Sequence, residues 1–345
     1  MNTWLSSYTR SLPIRSDKQK LHVIAALTGL MLLAAMLSLA FGSQSYSLSR
    51  LFGALGSDAA DPARRILLHV RIPRTLECAA SGAALAVAGV LLQAVLNNAM
   101  ASPNVIGVNA GAGFFALLAS SLLPGSAAAV SAAAFVGALG AAMLIYLLAL
   151  RAGLSRTTLV LAGIAVGGML TAGVNALRLL YPDAAVGSDA FMAGGFSGAT
   201  MENLTGALPF LLAGLILALI LSPDVNVLCL GEESAAGLGL SVGRTRFLAI
   251  LASALLAGAA VSFAGLLSFV GLLVPHIARK FIGSDHRWLI PASALLGAAF
   301  VTICDVISRV VFAPYEFPSG ILLSLLGGPF FLSLLLGHKR GRLYD

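Results

Sequence analysis

The chain has 345 residues, 59% of them hydrophobic and only 10% charged, with a net charge of +7 and a mean hydropathy of +0.95. Soluble domains carry about 25% charged residues, and no soluble core of this length could hide so much apolar surface, so the composition points to a polytopic membrane protein. The three cysteines, Cys78, Cys229 and Cys304, form no CxxC pair, and the sequence contains no G-x-x-x-x-G-K-[ST]; neither a disulfide, a metal site nor a P-loop of the chain's own is expected.

Residues 1–20 form a polar, basic tail in which Arg10, Arg15, Lys18 and Lys20 stand against Asp17. The 21 apolar residues Leu21–Phe41 follow. A signal peptide has an apolar core of roughly 7–15 residues, so this run is read as an uncleaved first span. Residues 42–75 form an external segment, and further apolar runs cover 76–97, 105–123, 127–150, 158–180, 204–222, 247–264, 266–282, 289–312 and 319–337. The runs are continuous rather than alternating, which makes them helices, and helices or closed barrels alone span lipid. The expectation is an all-α fold of about ten transmembrane helices in a single domain, residues 1–345. The seventh and eighth runs are nearly continuous, with Gly265 or Gly271 at their junction.

Between the sixth and seventh runs lies a polar loop, residues 223–246, carrying adjacent Glu232 and Glu233 in a chain with 14 acidic residues. A short helix of about two turns is expected from Gly231 onward. Its positive N-terminal dipole end suits the glutamates, and Gly237 or Gly239 stops it in a left-handed cap. Composition alone allows two readings, a solvated connecting loop or a docking knob for a soluble partner.

With ten spans and the N-terminus inside, fourteen of the 21 Lys and Arg residues fall on the inner side and seven on the outer. The positive-inside rule favours this orientation, which makes the 1–20 tail and the 223–246 loop cytoplasmic. Arg64, Arg65, Arg71 and Arg74 crowd the outer side against that bias. They either anchor in lipid phosphates by snorkelling or form a landing site for an acidic protein outside. A weak internal echo, AALAVAGVLLQ at 83–93 against AAVSFAGLLSF at 259–269, fits two inverted five-helix halves as in many transporters.

Several motifs occur in order. Arg71-Ile-Pro-Arg74 opens the second span, Gly82–Gln93 leads to Asn98-Ala-Met-Ala-Ser-Pro103, and Leu230-Gly-Glu-Glu233 lies in the polar loop. Phe269-Val-Gly-Leu-Leu-Val-Pro-His276-Ile-Ala-Arg279 is followed by Gly283-Ser-Asp-His-Arg287, Pro318-Ser-Gly320 and Gly328-Pro-Phe-Phe331. From about Arg71 to Leu336 this series resembles the membrane permease of the iron-siderophore and cobalamin (FecCD-type) ABC importers.

The resemblance implies a ten-helix permease of the bacterial cytoplasmic (inner) membrane that pairs with a second permease, itself or a homologous chain, around a central path. Two separate ATPase subunits would bind inside, and a periplasmic or lipoprotein substrate-binding protein would dock outside. No cofactor, metal or nucleic-acid partner is implied. Gly231, Glu232, Glu233, Ala236 and Gly239 would contact the ATPase, and Arg71, Arg74 and Arg309 would receive glutamates of the binding protein. Gln93, Asn98, Met100 and Thr157 would line the gate or path. The cargo implied is a ferric siderophore, with cobalamin or haem as the alternative.

One departure stands out: the family's usual Asn-Pro-Leu-Ala reads Asn98-Ala-Met-Ala101 here, exchanging a fixed turn and a leucine for a more pliable methionine. Other roles stay open from the residues alone. Gln93, Asn97 and Asn98 line a path or bond between helices, and Thr157 and Thr158 stand at a gate or simply cap a helix. His276 is expected to be packed and hydrogen-bonded. Asp305 and Arg309, four apart on one helix, can pair. An ion-coupled secondary transporter would need an intramembrane ionisable residue; the deepest candidate, Asp305, has Arg309 beside it. An intramembrane enzyme lacks support, because His276, Asp285 and His286 offer no paired metal or nucleophile arrangement.

Overall fold

The computed structural model describes residues 16–42, 53, 61–153 and 155–340. Arg10, Arg15, Arg50 and Arg342, used above to count charge, lie outside the described residues. With the near-continuous Pro62–Val95 counted as one, the described residues form thirteen helices and no strand. They are α1 (Asp17–Ala40), α2 (Pro62–Val95), α3 (Val108–Leu122), α4 (Ala127–Arg151), α5 (Arg156–Leu180), α6 (Pro182–Ala193) and α7 (Met201–Ile220). Then follow α8 (Ser222–Leu228), α9 (Glu232–Gly237), α10 (Val242–Ala264), α11 (Val270–Ile282), α12 (His286–Val311) and α13 (Ser319–Arg340).

Ten of these, all but α6, α8 and α9, coincide in order with the ten apolar runs. Seven are long and apolar enough to cross a bilayer unaided. The shorter α3 is preceded by a 3-10 turn, Pro103–Ile106. The all-α, polytopic fold expected from the sequence is the fold observed.

Helix ends move where capping chemistry lies outside the apolar run. Helix α1 starts at Asp17 because Ser16 and Gln19 form a reciprocal capping box. Helix α2 starts at Pro62, where the Asp61 carboxylate accepts from the Ala63 amide at 2.9 Å, so the last part of the expected external segment is helical. A π-helical turn, Leu67–Arg71, lies within it. Arg64, Arg65, Arg71 and Arg74 therefore ride one helix rather than a loop.

Helices α2 and α10, the second and seventh spans, form the buried centre and run in opposite directions. Ser253 Oγ of α10 donates to Ala88 O of α2 at 2.7 Å. Helix α2 meets α12 and α11 at glycine pairs: a Cβ on Gly82 would overlap Gly297 O, and one on Gly89 would overlap Gly271 O. Small residues of this kind let backbones approach in lipid; of the echo noted in the sequence, 83–93 lies on α2, while 259–269 runs off the end of α10 at Ala264. One contiguous apolar core runs from Leu27 to Leu323.

The near-continuous seventh and eighth runs separate at Gly265, the first of the two junction glycines considered. Its φ of +70° and the crowding of its Cα position by Phe191 O leave no room for a side chain. The interrupted backbone is stitched to the end of α6: Leu266 N donates to Phe191 O at 3.0 Å, and Gly195 N donates to Ala264 O at 2.9 Å. Helix α6 was not foreseen because its sequence, PDAAVGSDAFMA, is too polar for a span.

Candidate functional sites at the two ends of the bundle

The bundle has two chemically different ends. At one end stands α9, six residues long, starting after Gly231 (φ +103°). Gly239, at φ +85°, closes it in a Schellman motif, with Leu240 N donating to Ala235 O at 3.0 Å and Gly239 N to Ala236 O at 2.9 Å. Ala235 is buried and anchors the helix, while Glu233, Ser234, Ala236 and Gly237 are exposed. Glu232 forms an ion pair with Arg246 of α10, whose side chain is buried beneath the knob. Both adjacent glutamates are exposed, but Glu232 also braces α9 through its pair with Arg246. Only Cys229, Leu230 and Gly231 separate α9 from α8.

On the same end, α8 is tied to the start of α12. Asn226 Nδ2 donates to Asp285 Oδ1 at 2.8 Å, and Asn226 Oδ1 accepts from the His286 amide at 2.9 Å and from His286 Nδ1 at 2.6 Å. Asp285 also N-caps α12 by accepting from Arg287 N at 3.1 Å. Partial burial raises the Asp285 carboxyl. The Asn226 hydrogen bond, the Arg287 amide and the charges of Lys20 and Arg287 outweigh that effect and hold it below its ordinary value. Lys20 of α1 lies 5.7 Å from the Trp288 ring centroid, in cation–π range.

The gate candidates also gather towards this end. Helix α2 stops where Asn97 adopts φ +42°, with Asn98 N donating to Gln93 O and Asn97 N to Ala94 O, both at 3.0 Å. Asn97 thereby does the work usually left to glycine. Asn98 Oδ1 then accepts from Met100 N at 2.9 Å, an Asx turn at the bend where the resembled motif has a proline and this chain has Ala99. Asn98 is exposed and Met100 half-buried. Gln93 is buried and bonds between helices: Nε2 donates to Gly271 O at 3.3 Å, and Oε1 accepts from Arg279 of α11. Thr157 is exposed at the start of α5, beside a capping box in which Thr158 reciprocates Ser155. The Pro103–Ile106 turn packs on α5, with Val105 O against Gly163. His276 sets its ring edge-on to Phe330, with centroids 5.9 Å apart.

The opposite end holds a buried charge cluster. Asp305 is fully buried, accepts from Arg74 Nη2 at 3.0 Å and from Ser319 Oγ at 2.9 Å, and forms an ion pair with Arg309, whose Nε lies 2.9 Å away. Arg309 Nη2 also donates to Ser38 Oγ at 2.9 Å, linking α1 to α12. Arg71 donates to the carbonyls of Leu39 and Ala40 at the end of α1. The three arginines expected on a landing surface, Arg71, Arg74 and Arg309, are only 4%, 4% and 7% exposed. Arg74 also reaches an exposed acid: its Nη1 donates to Glu316, 3.4 Å away, whose side chain is 56% exposed. The i,i+4 pairing of Asp305 with Arg309 is present, but Asp305 holds a second guanidinium from across the bundle as well.

Sequence reading missed Asn226, Glu77, Ser38, Ser319 and Glu316. Glu77 is fully buried, and its Oε1 accepts from the amide of Thr200, the residue that caps α7, at 3.0 Å. An acidic residue inside an apolar run was the available signal for Glu77. Asn226 offered none, because its partners lie about 60 residues away.

The family model described as the FecCD transport family matches residues 30–337. The Fe(3+)-citrate import system permease protein YfmD of Bacillus subtilis (strain 168) is 40% identical over 279 residues, 80% of this chain and 82% of its own length. The hemin transport system permease protein HmuU of Yersinia pestis is 36% identical over 319 residues, 90% of this chain and 96% of its own. A solved structure described as an inward-facing conformation of a metal-chelate type ABC transporter matches with a TM-score of 0.82 at 28% identity, covering 92% of this chain and 99% of that one. With seven helices among the described residues long and apolar enough to cross a membrane, the chain belongs to the FecCD transport family, as a multi-pass permease of the bacterial cytoplasmic membrane.

Proposed function

We propose that this permease imports a ferric chelate of the siderophore class, driven by ATP hydrolysed on two separate ATPase subunits. The α9 end is assigned to the cytoplasm, the side that the basic excess of the intervening loops favours. The observation that carries the reading is α9 itself: a short exposed helix, seated on buried Ala235 and braced by the Glu232–Arg246 pair. A solvated connecting loop needs no such anchoring. Gly231, Glu233, Ala236 and Gly239 form the contact face, and Glu232 keeps it in place.

ATP binding would draw the two ATPases together and carry the α9 knobs of a permease pair with them. Helix movement then switches the open side of a path between the subunits. Asn98, Met100 and Thr157 are assigned to the inner constriction, with Gln93 holding α11 against α2 behind it. The apolar faces of α5, with Leu161, Ile164 and Met169 exposed, suit a wide path that grips a large chelate weakly.

The binding protein docks at the Arg74 end. Arg74 is reached through Glu316, while Arg71 and Arg309 hold α1 and α12 in place beneath it. Haem or cobalamin is the alternative cargo, since the haem-transport relative is similar over nearly its whole length. The test is uptake of radiolabelled ferric citrate, a ferric hydroxamate, haemin and cobalamin by cells with and without the gene. Loss of ferric-chelate uptake alone supports the reading; loss of haemin or cobalamin uptake alone replaces it.

A further inference from the structure

The α9 knob is useful only if displacement imposed on it reaches the transmembrane helices. One link is direct, the Glu232–Arg246 pair into α10. The other runs through the three-residue connection into α8, where Asn226 meets the first residues of α12 through three hydrogen bonds of 2.6–2.9 Å. One side-chain amide uses both its ends: the NH2 satisfies the Asp285 carboxylate and the oxygen accepts twice from His286. His286 is buried, and because Nδ1 faces an acceptor it carries its proton there. Helix α12 has 26 residues, about 39 Å at 1.5 Å per residue, and reaches the far end, where its Asp305 holds Arg74.

We propose that Asn226 is a positioning residue for energy coupling, locking the α9–α8 unit to the start of α12 so that movement of the knob is delivered to the helix that holds Arg74 at the opposite end. The proposal rests on α9 being the ATPase contact. It does not require Asn226 to touch the ATPase, the cargo or the binding protein.

The hydrogen-bond pattern supplies its own test, because exchanging the two side chains can rebuild the bonds that join positions 226, 285 and 286. In Asn226→Asp, two carboxylates face each other across a 2.8 Å contact. In the double variant Asn226→Asp/Asp285→Asn, the new Asn turns its NH2 to the new Asp and donates to it, and the Asp accepts both His286 protons; the Arg287 cap, which shares Asp285 Oδ1 with Asn226 in the native chain, is given up. The whole importer is reconstituted in proteoliposomes with its ATPase and binding protein, and radiolabelled ferric citrate transported per ATP hydrolysed is measured, with ATPase retention on purification recorded alongside. Asn226→Asp is expected to keep the ATPase and lower the transport ratio about five- to tenfold, within the range of ordinary coupling energies. The double exchange is expected to recover the ratio to within about twofold.

A normal ratio in folded Asn226→Asp overturns the proposal, as does a double exchange that folds and binds ATPase without recovery. Loss of the ATPase from Asn226→Asp also overturns it, since Asn226 would then support the docking surface rather than transmission. Should Asn226→Asp fail to fold, Asn226→Ser decides: ATPase bound with a lowered ratio supports the latch, and a normal ratio sinks it. If the unaltered chain holds no ATPase, the functional reading falls and the latch with it; if it holds ATPase and only the latch variants behave normally, the latch alone falls.

Discussion

The two ends of α12 are held by opposite chemistry. At the Asp305 end a carboxylate buried in the bundle takes two guanidinium groups and a hydroxyl. At the His286 end a neutral side-chain amide joins a partly exposed carboxylate to a buried imidazole. A buried charge cluster is intolerant, because removing one partner leaves another charge unpaired. An amide latch at the membrane edge loses only ordinary hydrogen bonds, and water can replace some of them. The first arrangement fixes the helices relative to one another; the second suits a joint that carries force without deciding whether the protein folds.

Replacing Asp305 by Asn should break that contrast most severely. It strands Arg74 and Arg309, and a loss of about 3–5 kcal/mol is expected, seen as a large drop in thermal unfolding temperature in detergent or as failure to accumulate in the membrane. Arg246→Gln comes next. It should free α9 without unfolding the bundle, losing about 1–3 kcal/mol locally, and limited proteolysis at residues 230–241 should detect it while the global unfolding temperature moves little.

The smallest stability effect belongs to Glu316→Gln, whose pair with Arg74 is half open to solvent. It should change stability by less than about 1 kcal/mol, and a loss as large as that of Asp305→Asn would erase the distinction between buried and rim charge. A pH series sharpens the other end. The folded Asp285 carboxyl lies below its ordinary value, so its stabilising contribution is complete above the ordinary carboxylate pKa of about 3.9 and is lost only as pH falls through the lower folded value. The transport ratio should therefore show no titration assignable to Asp285 between about pH 6 and pH 8.

The same contrast explains what was legible beforehand. The spans were readable because each is a continuous apolar run, and α9 because its Gly–Glu–Glu start and Gly239 stop are local signals. The Asp305–Arg309 spacing showed that a pair was possible. Arg74, from a helix about 230 residues earlier in sequence, could be placed on that carboxylate only by the fold. The outer arginines looked like a displayed patch because charge asymmetry reports the side of the membrane and not burial. Asn226 was invisible for a related reason: a polar residue in a polar loop carries no signal until its distant partners are known.

The most direct test of the account concerns α9. The Glu232→Lys/Glu233→Lys variant reverses the outward charge and breaks the Arg246 brace together. Co-purification of the ATPase with the permease, with ferric citrate uptake in the same preparation, measures the consequence. The account predicts that the ATPase is lost or that its hydrolysis no longer drives uptake, while the permease itself remains folded. A stably bound ATPase with normal uptake in the double variant would contradict it.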